Sequence, residues 1–306
     1  MDHVISGVGA GAQAREAESL EGWQQGGKWF SYDGHAIFSR MAGRGEPLVL
    51  LHGFPTASWD WSRIWPMLVQ QHSVLALDML GFGFSDKPTA YQYSIEDQAD
   101  LVQGWLEGLG LARVNLFAHD YGCSVAQELL ARDQEHRLRF RINSVCFLNG
   151  ALFPEVHNPL LIQRALRSPL GGLISRGLTR RAFEYNFRRL FGPQNPPDRQ
   201  DLEDFWYLLT YNNGRGILHH LIQFMEERRC HRNRWVGALQ SASQPMRLIS
   251  GTADPVSGVA MARRYRELIP TADVVSLRNV GHYPHFESPW EVYTAYRDFR
   301  RQIDGR

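Results

Sequence analysis

Three residues whose types could share one reaction stand at the ends of apolar runs: Asp120 after RVNLFAH, Asp254 after RLISGTA and His282 after VVSLRNVG. A carboxylate can displace a leaving group from a saturated carbon and become an alkyl ester. A histidine can then take a proton from water, and that water can open the ester at the carboxyl carbon. A second acid behind the imidazole orients the ring and stabilises its cation. The stretch LFAHDYGCSVAQELL sets Asp120 at a sharp corner between an apolar strand and an amphipathic helix, where many hydrolases mount a serine in G-x-S-x-G. Decay of such a serine would leave a binding protein, but decay gives no reason for Asp254 and His282 to remain in place.

The elements that must position these residues follow from hydrophobic patterning. KWFSYDG and AIFSRMAG read as a strand pair, followed by the strands PLVLLHG, SVLALDM, RVNLFAHD and INSVCFLNG. Between them SWDWSRIWPMLVQQ, SIEDQADLVQGWLEGLG and CSVAQELLARDQEH carry apolar residues at helical spacing. Strands alternating with helices imply a parallel sheet. The rhythm stops between about Phe153 and Trp235, where the pattern is helical and rich in arginine and aromatics, and then resumes with PMRLISGTAD, SGVAMARRYRELI, ADVVSLRNVGH and PWEVYTAYRDFRRQI. The domain reading is an α/β core at 1–153 and 236–306, with a helical cap at 154–235.

Composition narrows the function class. The 306 residues carry 43% hydrophobic and 21% charged residues, and a net charge of +1, so no whole-molecule field points to nucleic acid. Three cysteines, unevenly spaced, do not make a disulfide framework. The first 25 residues are small and polar, read as a loose arm or short helix, and lack the pattern of a signal peptide. No apolar run is long enough to span a membrane, so a cytoplasmic location is expected. HYPH pairs His282 with His285 but shows no third ligand, GFGFS lacks dinucleotide-binding spacing, and the basic run RRCHRNR reads as a solvated surface or hinge. No metal or cofactor is expected.

The motifs LLHGFP, LDMLGFGFSDKP, AHDYG, GTADP and VGHYPHFESP together resemble the α/β-hydrolase superfamily, in its branch of epoxide hydrolases and haloalkane dehalogenases with an aspartate nucleophile. The resemblance implies a mostly parallel eight-stranded sheet flanked by helices, with Asp120 as nucleophile, His282 as base and Asp254 as triad acid. It implies backbone N–H donors to an oxyanion at Phe54 and Tyr121. Asn149 follows the sixth strand, where some dehalogenases place the acid, but an amide cannot serve, which leaves Asp254.

The implied reaction is hydrolysis of a small or medium apolar electrophile, with water as co-substrate. An epoxide leads, because HGFP is the loop form of epoxide hydrolases and the dehalogenase donors beside the nucleophile are replaced by Tyr121 and Phe54. Carbon–halogen hydrolysis is the alternative, and a non-catalytic binding protein the second. The proton donors of epoxide hydrolases are cap tyrosines, and no motif fixes them here. Tyr185 and Tyr211 are candidates, and Trp59, Phe153 and His220 are further candidate pocket residues.

Overall fold

The computed structural model describes residues 18–305. All eight expected strands form: β1 (Lys28–Tyr32), β2 (His35–Ala42), β3 (Glu46–Leu51), β4 (His72–Leu77), β5 (Arg113–His119), β6 (Arg141–Leu148), β7 (Met246–Gly251) and β8 (Val274–Leu277). They make one sheet in the order β1-β2-β4-β3-β5-β6-β7-β8. The first hairpin and the β2–β4 pair are antiparallel, and the remaining pairs are parallel. Helices cover both faces of the parallel part, so β3 and β5 bury consecutive residues rather than alternate ones. Asp120, Asp254 and His282 therefore emerge at one edge, beyond the C-terminal ends of β5, β7 and β8.

One expectation changes in detail and another is narrowed. SWDWSRIWPMLVQQ does not form one helix but a 3-10 turn, Ser58–Trp61, and a short helix, Trp65–Leu68. Pro66 sits in the first turn of the second helix, where its missing N–H costs no bond, whereas inside one continuous helix it would remove a hydrogen bond. Of the two readings of the amino-terminal arm, the described part takes the short helix, and it is anchored. Its helix Leu20–Gln25 plants Trp23 edge-on against Trp59 and Trp65, with the indole N–H on Ser58 Oγ at 3.2 Å. The signal-peptide reading rests on residues 1–17, which lie outside the described residues.

Between β6 and β7 the described chain is helical, through Leu161–Leu166, Gly171–Gly177, Arg180–Arg188, Arg199–Thr210, Phe224–Cys230 and Arg232–Gln240. The boundary expected at 235 falls inside the last of these helices. That helix packs on the helix Tyr121–Gln134 behind Asp120. Glu128, 1% exposed, joins them by accepting from Trp235 Nε1 (2.9 Å) and Arg234 Nε (2.8 Å), while Arg132 on its own helix holds the other oxygen. Burial opposes ionisation of Glu128, but these donors hold its pKa at about 2. A second junction is the buried Glu287, which accepts from the N–H groups of Gly192, Gly281 and Tyr283 and so ties the insertion to the loop that carries His282.

The helix behind Asp120 also presses on the end of β3. Gly122 donates its N–H to His52 O at 2.9 Å, and a Cβ at Gly122 would lie 2.5 Å from Leu51 O. Backbone cannot move aside as a flexible side chain can. Gly122→Ala should cost about 1–3 kcal/mol in urea unfolding, in the range of overpacked cores.

Candidate active site

Asp120 has φ 41° and ψ −101°, a left-handed backbone that a residue with a Cβ adopts only when its surroundings enforce it. The corner lifts its side chain off the end of β5 toward the other loops. Its Oδ2 accepts from the Phe54 N–H at 3.1 Å. The Tyr121 N–H heads the following helix and has no hydrogen-bond partner among the described residues. Of the two expected backbone donors, Phe54 is hydrogen-bonded to the Asp120 carboxylate and Tyr121 directly follows Asp120 with its N–H free among the described residues. The Tyr121 ring itself packs between Phe82 and Phe224.

His282 stands beside this carboxylate, its Nε2 4.0 Å from Asp120 Oδ2 and its Nδ1 2.9 Å from Asp254 Oδ2. Asp254 is held on every side: Val256 N–H donates to Oδ1 at 2.7 Å, and Ser257 Oγ (2.8 Å) and Asn149 Nδ2 (2.6 Å) donate to Oδ2. Asn149, ruled out as an acid, instead orients the acid. Its Oδ1 also receives the Gly251 N–H at 2.8 Å, so one amide spans β6 and β7. Burial favours the neutral Asp254, but the charge of His282 and these hydrogen bonds bring its pKa down to about 2. Burial likewise opposes the imidazolium of His282, yet Asp254 and then Asp120 lift its pKa to about 9.

The residue that sequence reasoning missed is Arg228. The basic run that contains it reads as a solvated surface or hinge, but Arg228 is 2% exposed and lies against Asp120. Its Nη2 donates to the Asp120 main-chain oxygen at 2.9 Å and lies 3.5 Å from Oδ1, its Nε donates to Ser124 Oγ at 2.7 Å, and its guanidinium covers the Phe224 ring. Of the rest of the run, Arg234 is paired with Glu128 and Glu135 of the core, Arg232 is paired with Glu155 within the insertion, and Arg229 is exposed beside Glu226. A signal was available: Arg228 falls four residues after Phe224, on the one face of its helix that is otherwise apolar. Burial would push the Asp120 carboxyl toward neutrality, but Arg228, then His282, hold its pKa below the usual range.

Above the site is an apolar pocket with about 620 Å³ of empty space, part of it open to solvent. The core contributes Phe54, Pro55, Val256 and His282, and the insertion contributes Leu160, Leu166, Phe183, Phe187, Leu218 and the amides Gln163 and Asn186 among others. None of the five further pocket candidates lines it. Tyr185 is 65% exposed, because it stands two residues from both Phe183 and Phe187, about 200° round the helix from the face they bury. Tyr211 packs edge-on against Phe84 at 5.4 Å, under Lys87. Trp59 supports Trp23, Phe153 lies in the core near Tyr265, and His220 lines a separate polar pocket with Tyr93, Glu227 and His231.

His119, Asp60 and His285 form a buried group whose ligand-type atoms lie within 4.8 Å of one another, with Asp60 Oδ2 to His119 Nδ1 at 3.7 Å. That is looser than the roughly 3.4 Å a tetrahedral zinc ion leaves between its ligands. His119 Nε2 is engaged with the His282 main-chain oxygen at 2.8 Å, so His119 braces the loop that carries His282. Among the described residues, no helix is long and apolar enough to cross a membrane.

Comparison with known proteins agrees with this architecture. The profile of the alpha/beta hydrolase fold family matches residues 46–289. Mesoderm-specific transcript protein of Mus musculus is 43% identical over 295 residues, covering 92% of this chain and 88% of that protein. The putative hydrolase LipZ of Mycobacterium tuberculosis is 39% identical, covering 89% of this chain and 94% of its own length. Among solved structures, haloalkane dehalogenase DbeA from Bradyrhizobium elkani superposes with a TM-score of 0.79 at 20% identity, over 91% of this chain and 98% of that one.

Arg228 gives the first test of the site. Its loss would leave the buried carboxylate of Asp120 without its strongest opposing charge. Arg228→Gln should then cost about 3 kcal/mol near neutral pH. The Asp120 pKa would rise, so the loss should shrink on acidification as the carboxyl takes up its proton. Adding Asp120→Asn should recover much of the stability, measured by denaturant unfolding across pH.

Proposed function

This chain belongs to the α/β-hydrolase fold family, and we propose that it hydrolyses apolar alkyl electrophiles through an ester on Asp120. The observation that carries the proposal is the state of that carboxylate: buried, ionised, fixed through Oδ2 by the Phe54 N–H, and placed beneath an apolar pocket. Oδ1 is then the attacking oxygen. As its bond to a saturated carbon forms, the bond from that carbon to the leaving group breaks, and the leaving group departs with the electron pair.

Ester formation removes the negative charge of Asp120, one of the charges that lift the His282 pKa to about 9. The imidazole then gives up its proton more readily and becomes the base for the second step. Nε2 takes a proton from water, and the hydroxide adds to Cγ of Asp120. The Phe54 and Tyr121 N–H groups hold the resulting oxyanion. Collapse expels the alcohol oxygen, which recovers the proton from His282; the Asp120 carboxyl then passes its remaining proton to the freed imidazole and returns as a carboxylate beside the imidazolium. Asp254, fixed by Asn149 and Ser257, keeps the ring oriented throughout. The helical insertion serves as the cap that excludes bulk water, which makes an ester worth forming.

The leaving group departs on the side away from Asp120, toward the cap. There the pocket presents the amides of Gln163 and Asn186, with no tyrosine in its lining. An amide N–H can solvate a departing anion but cannot protonate an alkoxide. This favours a halide, which leaves without a proton, over the epoxide expected from the HGFP loop. The epoxide remains the second reading, favoured by that loop and by Tyr121 and Phe54 standing in the places of the dehalogenase donors.

The test is a single turnover in heavy-oxygen water on panels of haloalkanes and epoxides. The alcohol or diol should carry light oxygen from Asp120, with heavy oxygen appearing in the enzyme. Heavy oxygen in the first product would mean direct attack by water and would refute the ester. Asp120→Ala should lower turnover to background, and wild-type turnover in that variant would refute the nucleophile. Halide release, read with an ion electrode, separates the two leaving groups.

A further inference from the structure

The charge of the whole chain is +1, yet the cap does not share that balance. Between positions 156 and 197 there are seven arginines, at 164, 167, 176, 180, 181, 188 and 189, and a single acid, Glu184. Arg167 and Arg180 are used in ion pairs with Glu226, Glu184 and Glu203. Arg164, Arg176 and Arg181 are exposed and make no ion pair among the described residues. The same helices leave large apolar side chains in solvent: Leu161 at 77%, Leu170 at 61%, Leu173 at 69% and Tyr185 at 65% exposure. Three of the four are leucines: Leu161 in the helix Leu161–Leu166, Leu173 in the helix Gly171–Gly177 that packs on it, and Leu170 at the N-cap of that second helix.

These helices also roof the apolar pocket. Leu160, Ile162 and Leu166 line it on one side, Ala182, Phe183 and Phe187 on another, and Leu161 is interleaved with the first set but turned outward. Exposed leucines among unpaired arginines, on elements that open into an apolar cavity, make a surface complementary to anionic headgroups with acyl chains beneath them. We propose that the outer face of the cap docks on an anionic lipid bilayer, so that apolar substrate passes from the bilayer into the pocket. The leucines enter the headgroup boundary while the arginines lie at the level of the phosphates. This is attachment to a surface, needs no spanning helix, and is independent of the chemistry at Asp120.

The experiment is flotation of the full chain with phosphatidylcholine vesicles, with and without phosphatidylglycerol. Binding is expected only to the phosphatidylglycerol vesicles and should weaken steeply with added salt. Two variants, each checked for wild-type circular dichroism and melting, divide the surface. Leu161→Glu with Leu170→Glu and Leu173→Glu should abolish binding. Arg164→Gln with Arg176→Gln and Arg181→Gln should weaken it on the order of 100-fold. Absence of wild-type binding to phosphatidylglycerol vesicles would overturn the proposal, as would equal binding to pure phosphatidylcholine. Unchanged binding by both variants would place the contact elsewhere on the chain and overturn it equally.

Discussion

A carboxylate buried at a strained corner and still ionised is the constraint on which this structure turns. Asp120 needs a left-handed backbone to project from β5, and it needs positive charge and N–H donors to keep its proton off. The sheet supplies the position, since β3, β5, β7 and β8 end together and bring Phe54, Asp120, Asp254 and His282 to one edge. The charge comes from two directions. His282 belongs to the core, while Arg228 belongs to the insertion and crosses into the core to hold the Asp120 main-chain oxygen as well as its carboxylate.

The insertion is therefore more than a roof. Glu128 and Glu287 fasten it at two places, and Arg228 makes the ionised state of Asp120 depend on that fastening. Coupling the insertion to Asp120 in this way means that an insertion displaced from the core would also release the charge that suppresses protonation of Asp120. The Asn149 amide plays a comparable part for Asp254, joining the ends of β6 and β7 through a single side chain.

What was legible in the sequence follows from the range of each interaction. Strands β3 to β8 and the corner at Asp120 are local patterns, set by apolar runs, turns and helix periodicity, and they formed where they were expected. The Phe54 N–H meets the Asp120 carboxylate, since a backbone donor depends on loop position and not on side-chain type. The pocket was not legible. Residue type marks Tyr185 and Tyr211, but Phe183 and Phe187 decide which face of Arg180–Arg188 turns inward and leave Tyr185 outside, while Tyr211 packs on Phe84. Arg228 was hidden for the opposite reason: its neighbours Arg229, Arg232 and Arg234 made it look like one of a solvated group, although its spacing from Phe224 placed it on the buried stripe.

The most direct measurement is the intact mass of a His282→Gln variant after incubation with haloalkanes and epoxides, followed by peptide mapping. Without its base the enzyme can form the ester but cannot hydrolyse it. The proposed chemistry requires a persistent mass gain on the peptide that contains Asp120, equal to an alkyl group for a haloalkane or to the whole molecule for an epoxide. A variant that folds normally, is challenged with compounds the wild type turns over, and carries no adduct at Asp120 would contradict it.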